Sequence, residues 1–293
     1  DGELALARAL SRLGGGDPEA IAASPSYRET PAKVRAAAAL ILRAVADAER
    51  YRRLALVEPL EATGIDPRWA RDRAFDECFW RAADDDDANL EADAKFAEVR
   101  RMLQTERAME AIDRHLLARG ANLVALAADA AIDKLEAAGP FTAPDLASVF
   151  STDLGQVRLF GTGDHVIDGP SHDLLVIDLG GDDHWHAAGA SGDPRTEPIG
   201  VAIDISGDDH YETPSTTGWL NRLENGPQGG EPGFCQEVPA DHAPAFGAGL
   251  AGYGILVDVE GDDTYLPPIA GMGSGLLGHG VLQDRSGNDR YRG

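Results

Sequence analysis

The stretch Asp178-Leu-Gly-Gly-Asp-Asp-His-Trp185 decides the fold of the C-terminal half of the chain. It has the form Asp-x-x-Gly-(Asp/Asn)-Asp-x-(Tyr/Trp), which occurs four times, beginning at Asp178, Asp204, Asp258 and Asp284. The copies start 26, 54 and 26 residues apart, and 54 is close to two periods of 26. A fixed spacing in this range is typical of a repeat architecture.

Each copy offers up to three acidic positions. We call them the leading aspartate (Asp178, Asp204, Asp258, Asp284), the middle aspartate (Asp182, Asp208, Asp262) and the last aspartate (Asp183, Asp209, Asp263, Asp289). The fourth copy has Asn288 in the middle position. A mainly apolar run such as Leu175-Val-Ile177 precedes each copy, and an aromatic residue such as Trp185 closes it. We therefore expect a short strand, a tight acidic turn and an aromatic side chain that packs between repeats.

Short strands with regular corners and a constant period indicate coils that stack on one another. The predicted fold class is α+β and multidomain, with an N-terminal α-helical bundle followed by a C-terminal β-solenoid-like repeat domain. The predicted boundaries are 1–138 for the helical domain, 139–155 for a connector and 156–293 for the repeat domain, with a long loop at about 212–246. The stretch from Phe160 to Val166 reads as an eroded first copy that lacks the middle carboxylate.

Helical periodicity dominates the N-terminal half. We predict a helix from Glu3 to Leu13, and a longer one that begins with Thr30 as its N-cap and runs to about residue 57. Two more helices are predicted at 89–118 and 122–138, separated at Gly120. The connector is predicted to contain a short helical turn near 145–149.

Stacking brings the acidic positions of neighbouring repeats to within about 4.8 Å of each other. Carboxylates at that distance repel unless they are protonated or bridged by a cation, and calcium takes six to eight oxygen ligands at about 2.3–2.6 Å. We expect the leading and last aspartates to bind the metal directly and the middle ones to add charge. The predicted metal-binding residues are Asp178, Asp182, Asp183, Asp204, Asp208, Asp209, Asp258, Asp262, Asp263, Asp284 and Asp289.

The segments Gly180-Gly-Asp-Asp-His-Trp185 and Ser286-Gly-Asn-Asp-Arg-Tyr291 resemble the RTX-type calcium-binding repeat. The resemblance is limited to the acidic turns, and the period is 26 where RTX repeats have nine. It implies Ca²⁺ as the bound cation and coils that fold when calcium is present.

Composition narrows the possible functions. The net charge of −24 in 293 residues argues against binding to nucleic acid or to an anionic membrane. Two cysteines cannot define a disulfide framework, and no apolar run approaches the length of a membrane span. No signal peptide is visible in the sequence, and the calcium chemistry favours an extracytoplasmic or secreted location.

The histidines support an alternative in which zinc or another transition metal is bound. His184 and His210 are one period apart, so they should stack, and His165 is expected to extend their column. The candidate catalytic residues of this alternative are His184, His186, His210 and His242. Later repeats have Thr264 and Arg290 at the position of His184, which is typical of a solvent-facing site.

We expect a non-enzymatic calcium-binding repeat protein that acts as an extracytoplasmic binding or scaffold module. The alternative is a metal-dependent hydrolase or lyase that uses histidines and aspartates near the 212–246 loop. A third possibility is that no metal binds and the aspartates only form Asx turns. The loop is the predicted contact for a protein or glycan partner, and the C-terminal end is a candidate for self-association or for contact with further chain.

Overall fold

A computed structural model describes residues 2–71, 103–104, 106–168, 173–186, 189–212, 245–266 and 271–292. It shows a mixed α/β protein with helices in the N-terminal region and strands in the C-terminal region. The helices whose two ends both lie in the described residues are Ala5–Arg12 (α1), Pro18–Ala23 (α2), Pro25–Glu29 (α3), Ala32–Arg52 (α4), Glu58–Ala62 (α5) and Arg114–Glu136 (α6), with a π-helical segment at Arg53–Val57. Residues 67–71 and 106–111 are also helical, next to residues that are not described.

Two short helices in the N-terminal region, α2 and α3, were not predicted. Each begins with a capping residue followed by proline: the side chain of Asp17 accepts from the backbone of Ala20, and that of Ser24 accepts from Tyr27. The N-cap of α4 is Pro31, one residue after the predicted Thr30. Thr30 instead caps the C-terminal end of α3, where its hydroxyl donates to the carbonyl of Ser26.

The predicted helix end at Gly120 is wrong, because α6 runs through this residue without interruption. A Cβ atom at Gly120 would lie 2.2 Å from the Tyr253 hydroxyl oxygen. The glycine therefore allows a helix and a strand to approach closely, and the helix begins instead at the Asp113 cap, whose side chain accepts from Leu116.

The strands of the described residues form three sheets. The largest has the order β1-β2-β4-β6-β9-β12, the second β3-β5-β7-β10-β13, and the third pairs β8 with β11. Their bounds are Ala147–Thr152 (β1), Gly155–Phe160 (β2), Val166–Ile167 (β3), Asp173–Asp178 (β4), His184–Trp185 (β5), Ile199–Asp204 (β6), His210–Glu212 (β7), Gly249–Leu250 (β8), Tyr253–Asp258 (β9), Thr264–Leu266 (β10), Gly275–Leu276 (β11), His279–Asp284 (β12) and Arg290–Tyr291 (β13).

The repeats are in register, and we call the paired repeats the ladder. Asp178 lies opposite Asp204, Asp204 opposite Asp258, and Asp258 opposite Asp284, all in parallel pairs. The second and third copies are therefore adjacent in the ladder although they are 54 residues apart in the sequence, and the additional residues are inserted between β7 and β8. Most of the predicted 212–246 loop, including His242, lies outside the described residues.

The expectation of an RTX-like repeat in a β-solenoid is wrong in several respects. The largest sheet is mixed, because β1 runs antiparallel to β2 at its edge. Each period contains one acidic turn, which joins a six-residue strand in one sheet to a strand of two or three residues in another. The helical turn predicted near 145–149 is also wrong, because β1 begins at Ala147.

The two faces of the largest sheet are buried in different surroundings. Alternate side chains such as Leu175 and Ile177 join the core that contains the helices. Val176 and its neighbours across the sheet point the other way, into a core that contains Trp185, Tyr211 and Tyr265. Burial of both faces explains why the strands are apolar runs and do not alternate with polar residues.

Polar contacts also join the helices to the strands. The buried guanidinium of Arg52 donates to the backbone carbonyls of Ala251 and Pro194. Arg285 forms an ion pair with Asp129 of α6 at 2.6 Å. The helices and the ladder therefore share a core and its polar edges. Within the described residues, no helix is both long and apolar enough to cross a membrane.

Candidate metal centre

Each leading aspartate sits at the end of a long strand, where the chain turns sharply. The Oδ1 atoms of Asp178 and Asp204 accept from the backbone of Gly180 and Ser206 at 2.9 and 3.1 Å. These are Asx turns, so part of the third possibility is correct. The turn needs glycine: Gly207 has φ +148°, and a Cβ there would lie 1.7 Å from the carbonyl oxygen of Gly181.

In the second and third copies, the Oδ2 atom of the leading aspartate accepts hydrogen bonds from the aromatic side chains that close the repeats. Trp185 donates to Asp204 Oδ2 at 3.1 Å, and Tyr211 and Tyr265 both donate to Asp258 Oδ2, at 2.7 and 2.9 Å. The rings of Tyr211 and Tyr265 stack with centroids 4.6 Å apart, and both are fully buried. These aromatic residues pack between repeats, as predicted.

The middle and last aspartates join neighbouring repeats in opposite directions. The Oδ1 atom of Asp209 accepts from the backbone of Asp183 in the preceding repeat at 2.6 Å. The Oδ1 atom of Asp208 accepts from the backbone of Asp262 in the following repeat at 3.0 Å. The middle aspartates are exposed, whereas Asp183, Asp209 and Asp263 are buried.

Within the described residues, the leading and last aspartates converge in four clusters, one at each junction between repeats. In each cluster, one potential ligand atom from each of three residues lies within 4.8 Å of the others. Every junction uses the leading and last aspartates of one repeat and the corresponding last position of the preceding repeat. The clusters are His165-Asp178-Asp183, Asp183-Asp204-Asp209, Asp209-Asp258-Asp263 and Asp263-Asp284-Asp289.

Buried oxygens without a hydrogen-bond donor occur in these clusters. In the described part of the chain, no donor reaches the Oδ2 atoms of Asp178, Asp183, Asp209 and Asp263. These four residues are at most 3 % exposed. An unsatisfied buried carboxylate oxygen is costly, so the Asx turns account for one oxygen of a leading aspartate and leave the rest of the cluster unexplained.

Burial and mutual repulsion raise the pKa values of these carboxyl groups. Burial, followed by the charge of Asp183, raises the pKa of Asp178 to about 9. Burial likewise raises the pKa of Asp209 to about 7, and burial with the charge of Asp258 raises that of Asp263 to about 8. The pKa of Asp204 is raised well above its usual value for the same reasons. The clusters therefore require either protons or a cation near neutral pH.

The charge count suits divalent cations. The four clusters contain eight different aspartates and one histidine. Eight ionised carboxylates would be neutralised by four divalent ions, one at each junction. Asp183, Asp209 and Asp263 each belong to two adjacent clusters, and each carboxylate has two oxygens to offer.

The first repeat differs from the sequence-based expectation. Val166 lies opposite His184, so His165 precedes the histidine column and does not extend it. Asp164 accepts from the backbone of Asp182 and so holds the middle position. The eroded copy therefore retains its middle carboxylate, and His165 replaces the last aspartate.

The other candidate catalytic histidines lie apart from the clusters. His184 lies opposite His210 with ring centroids 5.5 Å apart, but the rings are inclined at 50° and do not stack, and His184 is exposed. His210 pairs with Glu212 at 3.2 Å, and His186 pairs with Asp168 at 2.7 Å. Among the described residues, none of these three histidines belongs to a cluster of three potential metal ligands.

Comparison with known proteins gives no relative. No protein-family model, curated protein or solved structure matches the chain. Neither a family match nor the sheet topology supports the RTX-like assignment.

Sequence reasoning missed the role of His165 and the hydroxyl donors to the leading aspartates. Aligning Gly163 with Gly181, rather than aligning the histidines, would have placed His165 at the last-aspartate position. Trp185 and Tyr211 donate to the leading aspartate of the next copy, 19 and 47 residues away, which only the stacking reveals. Tyr265 donates to Asp258 of its own copy, seven residues away.

Proposed function

We propose that this chain is a non-enzymatic calcium-binding repeat protein whose C-terminal half is a binding or scaffold module. One observation supports this most strongly: buried, donor-free carboxylate oxygens recur at successive junctions between repeats. A cation at each junction would hold two neighbouring repeats together.

The donor set favours calcium at the three all-carboxylate clusters. Calcium is a hard cation that takes carboxylate and carbonyl oxygens at about 2.3–2.6 Å, in flexible geometries. Two oxygens on opposite sides of such an ion are separated by about 4.6–5.2 Å. The potential ligand atoms of each cluster lie within 4.8 Å of one another, so one ion could contact all three residues. Magnesium usually retains several waters, which suits these buried clusters less well.

Calcium binding would be coupled to folding of the ladder. Carboxylates that repel each other when bare become attractive partners once a cation lies between them, so binding free energy becomes folding free energy. A module of this kind is rigid only where calcium is abundant. This favours an extracytoplasmic location, where calcium-binding modules work with dissociation constants of about 0.1–1 mM.

The rigid ladder would present the long excursion between β7 and β8. We keep residues 212–246 as the proposed contact for a protein or glycan partner, because long loops on a rigid scaffold often carry function. The alternative of a metal-dependent hydrolase or lyase has less support, since His184, His186 and His210 do not belong to a group of three potential ligands in the described residues.

Calcium stoichiometry tests the proposal. The purified chain, stripped of metal, is dialysed against calcium at about 1 mM, and the bound ion is counted. We expect three calcium ions at the all-carboxylate clusters. Asp263→Asn should remove about two of them, because Asp263 belongs to two clusters, whereas the adjacent control Asp262→Asn should remove none.

Two results would overturn the proposal. One is no calcium binding at millimolar concentration, and the other is equal losses in the two variants. Stoichiometric zinc, iron or manganese that disappears on replacing His184, His186, His210 or His242 would favour the enzymatic alternative instead.

A further inference from the structure

We propose that the first cluster, His165-Asp178-Asp183, is a transition-metal site of the zinc type that is chemically distinct from the three all-carboxylate clusters. The inference rests on the proposed function because the same ladder holds Asp178 and Asp183 in place. It adds a second class of metal, confined to one end of the ladder.

The first cluster differs from the others by one donor atom. His165 occupies the position that a last aspartate holds in every later repeat, so an imidazole nitrogen replaces a carboxylate oxygen. Imidazole nitrogen suits zinc and other first-row transition metals, whereas calcium takes oxygen ligands. One histidine with two carboxylates is thus a donor set that discriminates against calcium.

The distances fit a small metal ion. The Nδ1 atom of His165 lies 3.1 Å from Asp178 Oδ2 and 3.5 Å from Asp183 Oδ1. Ligand atoms around a tetrahedral zinc ion with bonds of about 2.0–2.1 Å are separated by about 3.3 Å. The observed separations lie on either side of that value.

Two of these donor atoms are also buried and unsatisfied. The side chains of Asp178 and Asp183 are 0 % exposed and that of His165 is 15 % exposed. His165 Nδ1 and Asp178 Oδ2 are close, yet neither has a hydrogen-bond partner among the described residues. These two atoms lie 3.1 Å apart without a hydrogen bond between them, and a metal ion bound by both would satisfy both.

Neighbouring groups hold the imidazole ring of His165 in place. The backbone of His165 donates to Asp183 Oδ1 at 2.6 Å, and its ring lies against Phe160 at 4.9 Å between centroids. Leu159 pairs with Ile177, so Phe160 stands at the position equivalent to Asp178. The first copy therefore has no leading carboxylate of its own. The cluster has three potential protein ligands, as the later clusters do and as catalytic zinc sites commonly do.

Cobalt(II) provides a direct test, because its visible absorption reports coordination. Metal-free full-length chain is titrated with Co²⁺ in the presence of about 2 mM Ca²⁺. We expect one Co²⁺ per chain, with visible absorption bands that zinc abolishes on displacing cobalt. His165→Ala should weaken Co²⁺ binding by at least about 100-fold, since losing even an outer partner of a metal ligand costs about 10–100-fold.

His165→Asp is the sharper variant, because it restores the residue type found at this position in the other repeats. We expect it to abolish the cobalt bands and to raise the calcium count from three to four. His184→Ala is the matched control. This exposed histidine lies opposite Val166, the residue after His165, and does not belong to the cluster. The control should bind Co²⁺ as the unaltered chain does.

The outcomes separate the two proposals. If the chain binds three calcium ions but binds no cobalt in the presence of calcium, this inference is wrong and the calcium proposal stands. Cobalt binding that is the same in His165→Asp and the unaltered chain would also overturn it. Absence of both metals would overturn both proposals, and far-UV circular dichroism of each variant identifies any that fails to fold.

Discussion

The interior cluster Asp209-Asp258-Asp263 and the final cluster Asp263-Asp284-Asp289 use the same repeat positions in different surroundings. Asp258 is fully buried, whereas Asp284 and Asp289 are only partly buried. The neighbouring aromatic changes in parallel, from 0 % exposed at Tyr265 to 49 % exposed at Tyr291. Water can therefore solvate the final carboxylates but not the interior ones.

This difference shows that the acidic turn is costly where it is buried between two neighbouring repeats. Two hydroxyl groups donate to Asp258 Oδ2, yet its Oδ1 atom has no partner within the described residues. Burial still raises the pKa of Asp258. Hydrogen bonds inside the ladder do not compensate the interior carboxylates fully, so cations should matter most there and least at the exposed end.

Removing calcium should have the largest effect. At about 100 times the dissociation constant, each ion adds about 2.7 kcal/mol, so three add about 8 kcal/mol. We expect excess chelator to lower the melting temperature by about 15 °C, taking about 2 °C per kcal/mol for a chain of this size. Because the helices share a core with the ladder, the helical signal should melt with it. An unchanged melting curve would contradict the calcium linkage.

Replacing one interior aspartate should have the next largest effect. Asp209 belongs to two clusters, so Asp209→Asn should cost up to about 5 kcal/mol in calcium, the contribution of two ions. With excess chelator, the loss of stability caused by Asp209→Asn should disappear or become a gain, because a neutral amide relieves repulsion among the buried carboxylates. The exposed neighbour variant Asp208→Asn should change stability by less than about 0.5 kcal/mol in either condition, as Asn288 already fills the middle position in the last repeat. Equal effects of the two variants would show that the clusters do not hold the cation.

The sequence predicted the features that depend on period. The spacing of the aspartates gave the strand register, the column of stacked aromatics and the alignment of the leading residues. It did not give β1 or the role of Gly120, because an antiparallel edge strand and a helix pressed against Tyr253 depend on contacts between distant parts of the chain. The aspartate pattern also could not show which oxygens lack donors, since this depends on the orientation of each carboxylate in the stack.

The pH dependence should distinguish protons from cations as the compensating charge. Carboxyl groups with pKa values raised by burial, to about 7 at Asp209 and about 8 at Asp263, bind protons more tightly in the folded than in the unfolded chain. The metal-free ladder should therefore be most stable near pH 4 and lose stability as the pH rises to 8. The loss is about 1.4 kcal/mol per pH unit for each such carboxyl group.

Saturating calcium should reverse this slope, because protons then compete with the ion. Melting temperatures at pH 5, 6, 7 and 8, with chelator and with calcium, measure both slopes. Asp209→Asn serves as the control and should flatten them. Parallel slopes in the two conditions would mean that the compensating charge is not calcium.

The smallest effect should come from the hydroxyl donors, and it compares the interior and the end most directly. Tyr211→Phe removes a donor to the buried Asp258, although Tyr265 still donates to the same oxygen. We expect a loss of about 1 kcal/mol, the usual net value of a buried hydrogen bond, and a fall of about 2–4 °C in melting temperature. Tyr291→Phe removes the equivalent donor to Asp284 at the exposed end, where water can replace it, and should lower the melting temperature by less than about 1 °C. If the two substitutions cost the same, burial would not be what distinguishes the interior of the ladder from its end.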